Sequence, residues 1–201
     1  LEVKPIESSC CGMSGAFGYG AATIDVSLAM GELSLLPAVR KAAAGDLVVH
    51  IRHEFTSADA PFFIAGSEGA RIHPKVLNRP DEQVVLKHHV NSFRETDLKR
   101  ILDAEGIEEL TVVGSMSHMC IDGITRAASD FGYKVTVVHD ACASRDLEFG
   151  GVVVPAAHVH AAFMAALGFA YATVVSTDDG PRAPYPSTSR PRHSLREDRR
   201  N

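Results

Sequence analysis

The sequence predicts an α/β protein built on a doubly wound, mostly parallel sheet. Two observations carry that prediction. The runs LVVHIR (47–52), VVLK (84–87), LTVV (110–113), KVTVVH (134–139) and YATVVS (171–176) are β-branched and apolar almost throughout, as strands buried on both faces are. Segments with helical spacing of apolar residues separate them, so strands and helices alternate. Alternation of this kind gives parallel strands with helices on both faces, and it puts ligands beyond the carboxyl ends of the strands.

At 201 residues the chain suits one domain with a full core. A formal charge of −5 gives no reason to expect nucleic acid or an anionic membrane as partner. No apolar run approaches the roughly 20 residues of a membrane span, and the first residues lack a basic-then-apolar leader, so a cytoplasmic location is the expectation. The start at Leu1 rather than Met reads as a fragment or a processed product. Four cysteines at 10, 11, 120 and 142 include an adjacent pair and no C-x-x-C, which argues against a disulfide framework or a zinc site.

Residues 1–20 are rich in Gly, Ser and Cys without a period and read as loop. From Ala21, residues Ile24, Leu28, Leu35 and Val39 keep roughly helical spacing, interrupted by Gly31 and Pro37. This stretch is either a helix or a short strand ATIDV followed by one. The 47–52 strand follows the Gly45–Asp46 break. Residues 55–82 carry Pro61, Gly66, Gly69, Pro74 and Pro80 and form a long irregular excursion of the kind that borders sites. The second strand ends at Lys87. A polar loop, a helix from about Glu95 to Glu105 and a Gly106 stop follow, then the LTVV strand. After KVTVVH the sequence predicts an irregular segment from Asp140 to Pro155, a helix from Ala156 to Leu167 and the last strand. Domain boundaries are therefore an N-terminal segment 1–20, an α/β unit 21–177, and a Pro/Ser/Arg-rich tail 178–201 expected to be disordered.

The stretch GSMSHMCIDGIT (114–125) sets Cys120 where a buried strand hands over to a helix. Helix-start N–H groups and the positive end of the helix dipole favour a thiolate there, and the same donors can hold an oxyanion. Against this stands the ordinary role of a free cysteine as a small buried filler.

From Leu47 to Thr177 the chain resembles the isochorismatase-like cysteine hydrolases, a superfamily that includes nicotinamidases and N-carbamoylsarcosine amidases. The matching stretches, in collinear order, are VVHIRHE, GSEGARIHP, KHHVNSFRETDL, VVGSMSHMCIDGITRAASDFGYKVTVVHDACASRDLEF and VPAAHVHAAFMAAL. The resemblance implies a Rossmann-like sheet and an Asp, Lys, Cys triad, with Lys87 as the lysine and Cys120 as the nucleophile. Isochorismatases proper lack that cysteine, so its presence implies C–N bond hydrolysis of a small-molecule amide, ureido or carbamoyl substrate without a cofactor. The oxyanion would be held by the N–H groups of Cys120 and Met116, the latter presented through a cis peptide at Ser115–Met116. Ser115, His88, Ser92 and Phe93 are expected along the substrate pocket. Homo-oligomers are common in the family, and the resemblance carries that expectation.

The family's first strand ends in the triad aspartate, and the candidate for it here is Asp25 in ATIDVS. A solvent-facing helix position is the competing reading of Asp25. Residues 8–40 resemble a different family, the carboxyl-terminal CCG-type segment of iron–sulfur FAD-linked oxidoreductases. A cluster takes about four thiolates, and this segment holds only Cys10 and Cys11. The chain thus reads as a junction produced by gene fusion, deletion or frameshift. A rival to the enzyme reading follows, an interaction module of the same fold inactive for want of its base. His50 and His53 read as strand-end polar residues with no metal bound, His118 as pointing away from the site, and Cys142 as structural.

Overall fold

The computed structural model of the protein describes residues 47–57, 59–72 and 77–179. Asp25, the Cys10–Cys11 pair and the tail from residue 180 lie outside them. Strand β1 (Val49–His53) pairs in parallel with β2 (Gln83–Lys87), Val49 against Gln83 through His53 against Lys87. Strands β3 (Glu109–Ser115), β4 (Lys134–Ala143) and β7 (Thr173–Val175) form a second parallel sheet in the order β3-β4-β7. The mostly parallel, helix-covered arrangement agrees with the doubly wound α/β expectation. Both sheets feed one core, in which Val85, Val112, Val135, Val137, Ala128 and Leu167 are buried and Val49 and Ile51 pack against them.

Helix α1 (Leu98–Ala104) begins later than the spacing predicts. Glu95 has a φ of 55°, outside the helical range, and the Thr96 hydroxyl accepts the Leu98 N–H at 3.3 Å in place of an earlier turn. The Cys120 stretch forms a π-helical turn (Ser117–Ile121) that runs directly into α2 (Asp122–Asp130). Helix α2 ends where Gly132 adopts a φ of 93°, with Gly132 N–H bonded to Ser129 O and Tyr133 N–H to Ala128 O, a left-handed cap open to glycine. Helix α3 (Ala156–Ala170) is longer than expected by three residues at its end, and the remote Asp146 carboxylate accepts its Ala156 N–H at 2.7 Å.

The segment from Asp140 to Pro155 is not irregular. Strand β4 runs on to Ala143, and β5 (Leu147–Phe149) pairs antiparallel with β6 (Val152–Val154). Gly150 and Gly151, at φ of 59° and 77°, supply the two left-handed residues that a two-residue hairpin turn needs. Residues 178 and 179, placed at the start of the tail by sequence, form a turn in which Ser176 Oγ donates to Asp179 Oδ2 at 2.7 Å. Among the described residues no helix is long and apolar enough to cross a membrane.

Leu167 sits at the centre of this core with no exposed surface. Leu167→Ala removes its packing and leaves a cavity, so it should lower unfolding free energy by about 2–5 kcal/mol in urea titrations. An effect below about 1 kcal/mol would place the core elsewhere.

Candidate active site

Lys87 ends β2, is 3% exposed, and donates from Nζ to the Val90 carbonyl at 2.7 Å. That bond folds the 88–91 loop back over the strand end. The loop then lies against α2: a Cβ built on Gly123 would stand 3.2 Å from Val90 Cγ1 and 3.5 Å from the Asn91 nitrogen. Gly123 is three residues beyond Cys120, so the Lys87 loop and the Cys120 turn share one contact surface. A Cβ at that point would be tight against the Val90 side chain, so glycine suits the close approach of α2.

Cys120 is partly buried within the π-helical turn at the carboxyl end of β3. The Ser115–Met116 peptide before it is cis. Met116 is buried, and its carbonyl accepts the N–H groups of Met119 at 3.0 Å and Ile121 at 3.2 Å, passing over Cys120 between them. A widened turn of this kind releases an N–H from the regular helical ladder. Ser115 pairs in register with Ala143 at the end of β3.

The remaining sequence-predicted pocket residues divide. His88 is exposed, with Nδ1 2.7 Å from the Glu54 carbonyl. Ser92 is buried, and its carbonyl accepts the Thr96 hydroxyl proton at 2.6 Å. Phe93 packs on Phe131 and Tyr133, with ring centroids at 5.1 and 6.1 Å, beyond the carboxyl end of α2 and away from Cys120 at its start. Asp25 lies outside the described residues. Cys142 is buried opposite Gly114 in the β3–β4 register.

Three residues gain a place that strand or loop spacing does not reveal. His53, register partner of Lys87, lies against Phe55 with ring centroids at 4.4 Å and stacks on Phe63 at 5.8 Å. Directly paired residues of parallel strands project to the same face, so His53 and Lys87 share one side of the sheet. Burial and then the Lys87 charge push the His53 pKa down to about 4, and its Nε2 is buried without a hydrogen-bond partner. His118 and His160 are also shifted down, chiefly by burial; His118 ties the Cys120 turn to Ser144 beyond β4, and His160 reaches the turn through Ser117. His50 belongs to a different contact, 2.8 Å from the Glu82 carboxylate. Among the described residues no group of three or more His, Cys, Asp or Glu side chains could hold a metal ion.

The histidine shifts carry a pH consequence. A neutral His53 in the fold, set against an ordinary histidine in the unfolded chain, contributes stability that is complete above about pH 6.5 and lost as pH falls towards about 4. The ring is only partly buried, so after solvent screening the loss is about 1–2 kcal/mol. Urea midpoints measured across this window should fall with pH in the wild type and fall less in His53→Phe. Equal slopes would remove His53 as the source.

Comparison with known proteins agrees with this fold. The isochorismatase domain model matches residues 34–179, starting ahead of Leu47. The isochorismatase family protein YddQ of Bacillus subtilis is 48% identical over 134 residues, covering 67% of this chain and 74% of that protein. A streptothricin hydrolase of Streptomyces noursei is 37% identical over 110 residues, 54% of this chain and 38% of the relative. The crystal structure of an isochorismatase-type hydrolase from Oleispira antarctica superposes with a TM-score of 0.66 at 60% identity, covering 72% of this chain and 75% of that one. With its parallel sheets, its matched length and these relatives, the chain belongs to the isochorismatase family of hydrolases.

Proposed function

We propose that the chain is a cysteine hydrolase cleaving the C–N bond of a small amide, ureido or carbamoyl compound, with Cys120 as nucleophile, Lys87 as the neighbouring cation and Asp25 as the acid–base group. The observation that carries the reading is the turn around Cys120. Its N–H is passed over by the Met116 carbonyl, and it follows the cis Ser115–Met116 peptide at the carboxyl end of a parallel strand. Donors at such a turn suit an oxyanion. The buried Lys87 on the other side of the Val90–Gly123 contact supports a thiolate as the attacking species.

In this reading the Asp25 carboxylate takes the Cys120 thiol proton, the thiolate adds to the carbonyl carbon, and the C=O electron pair moves onto oxygen, held by the N–H groups of Met116 and Cys120. Collapse of the adduct breaks the C–N bond, and the amine leaves with a proton delivered by Asp25. Water, deprotonated by the Asp25 carboxylate, then adds to the thioester, and the thiolate departs as the acid is released. No cofactor enters these steps. Ser115, His88 and Ser92 border the volume in which the substrate would sit, and the His53 ring with its unpartnered nitrogen joins them. The streptothricin hydrolase relative supports testing that antibiotic first.

The test is hydrolysis of streptothricin, nicotinamide, N-carbamoylsarcosine and simple ureido acids, followed by product mass spectrometry. Cys120→Ala should lower kcat about a thousandfold or more on whichever compound is turned over, and Lys87→Met and Asp25→Asn should each cause a severe loss. Full activity in Cys120→Ala would end the nucleophile reading, while full activity in Asp25→Asn would move the base elsewhere. Residues 8–40 carry their own proposal, a fused remnant of an iron–sulfur protein without its cluster. A brown anaerobic preparation would contradict the missing cluster.

A further inference from the structure

Ser117 has no exposed surface and stands three residues before Cys120. Its hydroxyl has one proton to give. The Ala143 carbonyl, 3.0 Å away, can only accept, so that proton goes there. His160 Nδ1, 2.8 Å from the same hydroxyl oxygen, is therefore the donor. The tautomer is fixed by this accounting, and protonation of the ring would leave the Nδ1–H donor in place.

The next residue repeats the tie. His118 Nδ1 lies 2.7 Å from the Ser144 hydroxyl, and Ser144 is 3% exposed. Two consecutive residues of the Cys120 turn are thus bonded to two consecutive residues at the end of β4. Helix α3 closes the node from the other side through His160. Ala143 is also the register partner of Ser115, so the ladder and the Ser117 bond grip the chain on both sides of the cis peptide.

We propose that Ser117 and His160 form a positioning clamp that sets the Met116–Cys120 turn, and with it the two N–H groups aimed at the oxyanion. The proposal rests on reading Cys120 as the nucleophile. Neither residue touches the reacting atoms. The Ser117 proton and the His160 Nδ1–H are both committed within the node, which leaves that node no proton to exchange with a substrate. What it supplies is direction: a hydroxyl held by one donor and one acceptor from different elements cannot shift without breaking a bond, and small displacements of oxyanion donors are costly to rate. A merely apolar filling of the same space would support the fold but leave the turn free to slide.

The experiment separates turn geometry from thiol access. Iodoacetamide alkylates a thiolate without needing an oxyanion site. Acetaldehyde forms a hemithioacetal: sulfur bonds to the carbonyl carbon, the C=O pair moves to oxygen, and that oxygen needs the donors. Alkylation of Cys120, read by peptide mass spectrometry, is timed with and without acetaldehyde in wild type, Ser117→Ala, His160→Ala, His160→Asn and His160→Gln.

The asparagine amide nitrogen falls near the Nδ1 position, and the glutamine nitrogen falls near Nε2. His160→Asn should stay within about threefold of wild type in acetaldehyde affinity, while Ser117→Ala, His160→Ala and His160→Gln should weaken it about tenfold or more. Iodoacetamide rates should change by less than about threefold throughout. Equal acetaldehyde affinity in His160→Asn and His160→Gln overturns the clamp, and this pair decides the matter if either alanine variant fails to fold. Wild-type Cys120 that is neither alkylated ahead of Cys142 nor shielded by acetaldehyde overturns the nucleophile reading and the clamp together. Strong shielding that survives every substitution overturns the clamp alone.

Discussion

Taking a lysine out of water costs several kcal/mol unless hydrogen bonds and opposite charge replace its hydration. The rest of the site is arranged around the fact that Lys87 is 3% exposed. Its bond to the Val90 carbonyl is local, reaching only three residues along the chain, and it bends the 88–91 loop into a cover for the strand end. That cover becomes the surface on which α2 lands, with Gly123 allowing the close approach to Val90 and Asn91. The position of Cys120, one turn earlier on the same rod of helix, is a consequence. A bulkier residue at 123 would press on the Val90 side chain, and a straighter 88–91 loop would withdraw the surface that the Cys120 turn and α2 share.

The same buried cation orders its neighbours. His53, paired with Lys87 across β1 and β2, is kept neutral by burial and by the lysine's charge, and the Phe55 and Phe63 rings give it no hydrogen bond in return. On one side of the sheet the tightly bonded Lys87 ammonium therefore stands beside a His53 ring that is bordered by Phe55 and Phe63 and holds a buried Nε2 without a hydrogen-bond partner.

Much of this was legible in the sequence, for physical reasons. Strands buried on both faces must be apolar throughout, which exposes β2, β3 and β4 in VVLK, LTVV and KVTVVH. The handover at Cys120 is visible because a Gly-rich, polar stretch interrupts an apolar run. The β5–β6 hairpin was missed although Gly150–Gly151 between LEF and VVV is a hairpin signal; three-residue strands are too short for a period to show. The start of α1 was set too early because spacing does not see the positive φ of Glu95. The Ser117–His160 bond joins residues 43 positions apart on different elements, and nothing local marks either of them. Asp25 is the opposite case, a residue whose proposed role comes from a family pattern and whose placement lies outside the described residues.

The sheet itself explains why the site can be more irregular than the core beneath it. Val112 faces Val137, yet Gly114 faces Cys142, so β4 advances five residues while β3 advances two. Such a bulge re-aims side chains where a strand ends at a site. Below it the ladder is regular and Val112, Val135 and Val137 fill the main core. Within it Val138 and Ala141 turn to a second small cluster with Val175. Asp140 meanwhile accepts the Thr177 N–H at 2.9 Å and the Thr177 hydroxyl proton at 2.6 Å, which fastens β4 to the end of β7. Above it Ala143 and Ser144 arrive level with Ser115, Ser117 and His118, the only height at which they can bond the turn. The extra length in β4 thus decouples two demands on one strand: close packing at its base and polar, directional support for the cysteine at its tip.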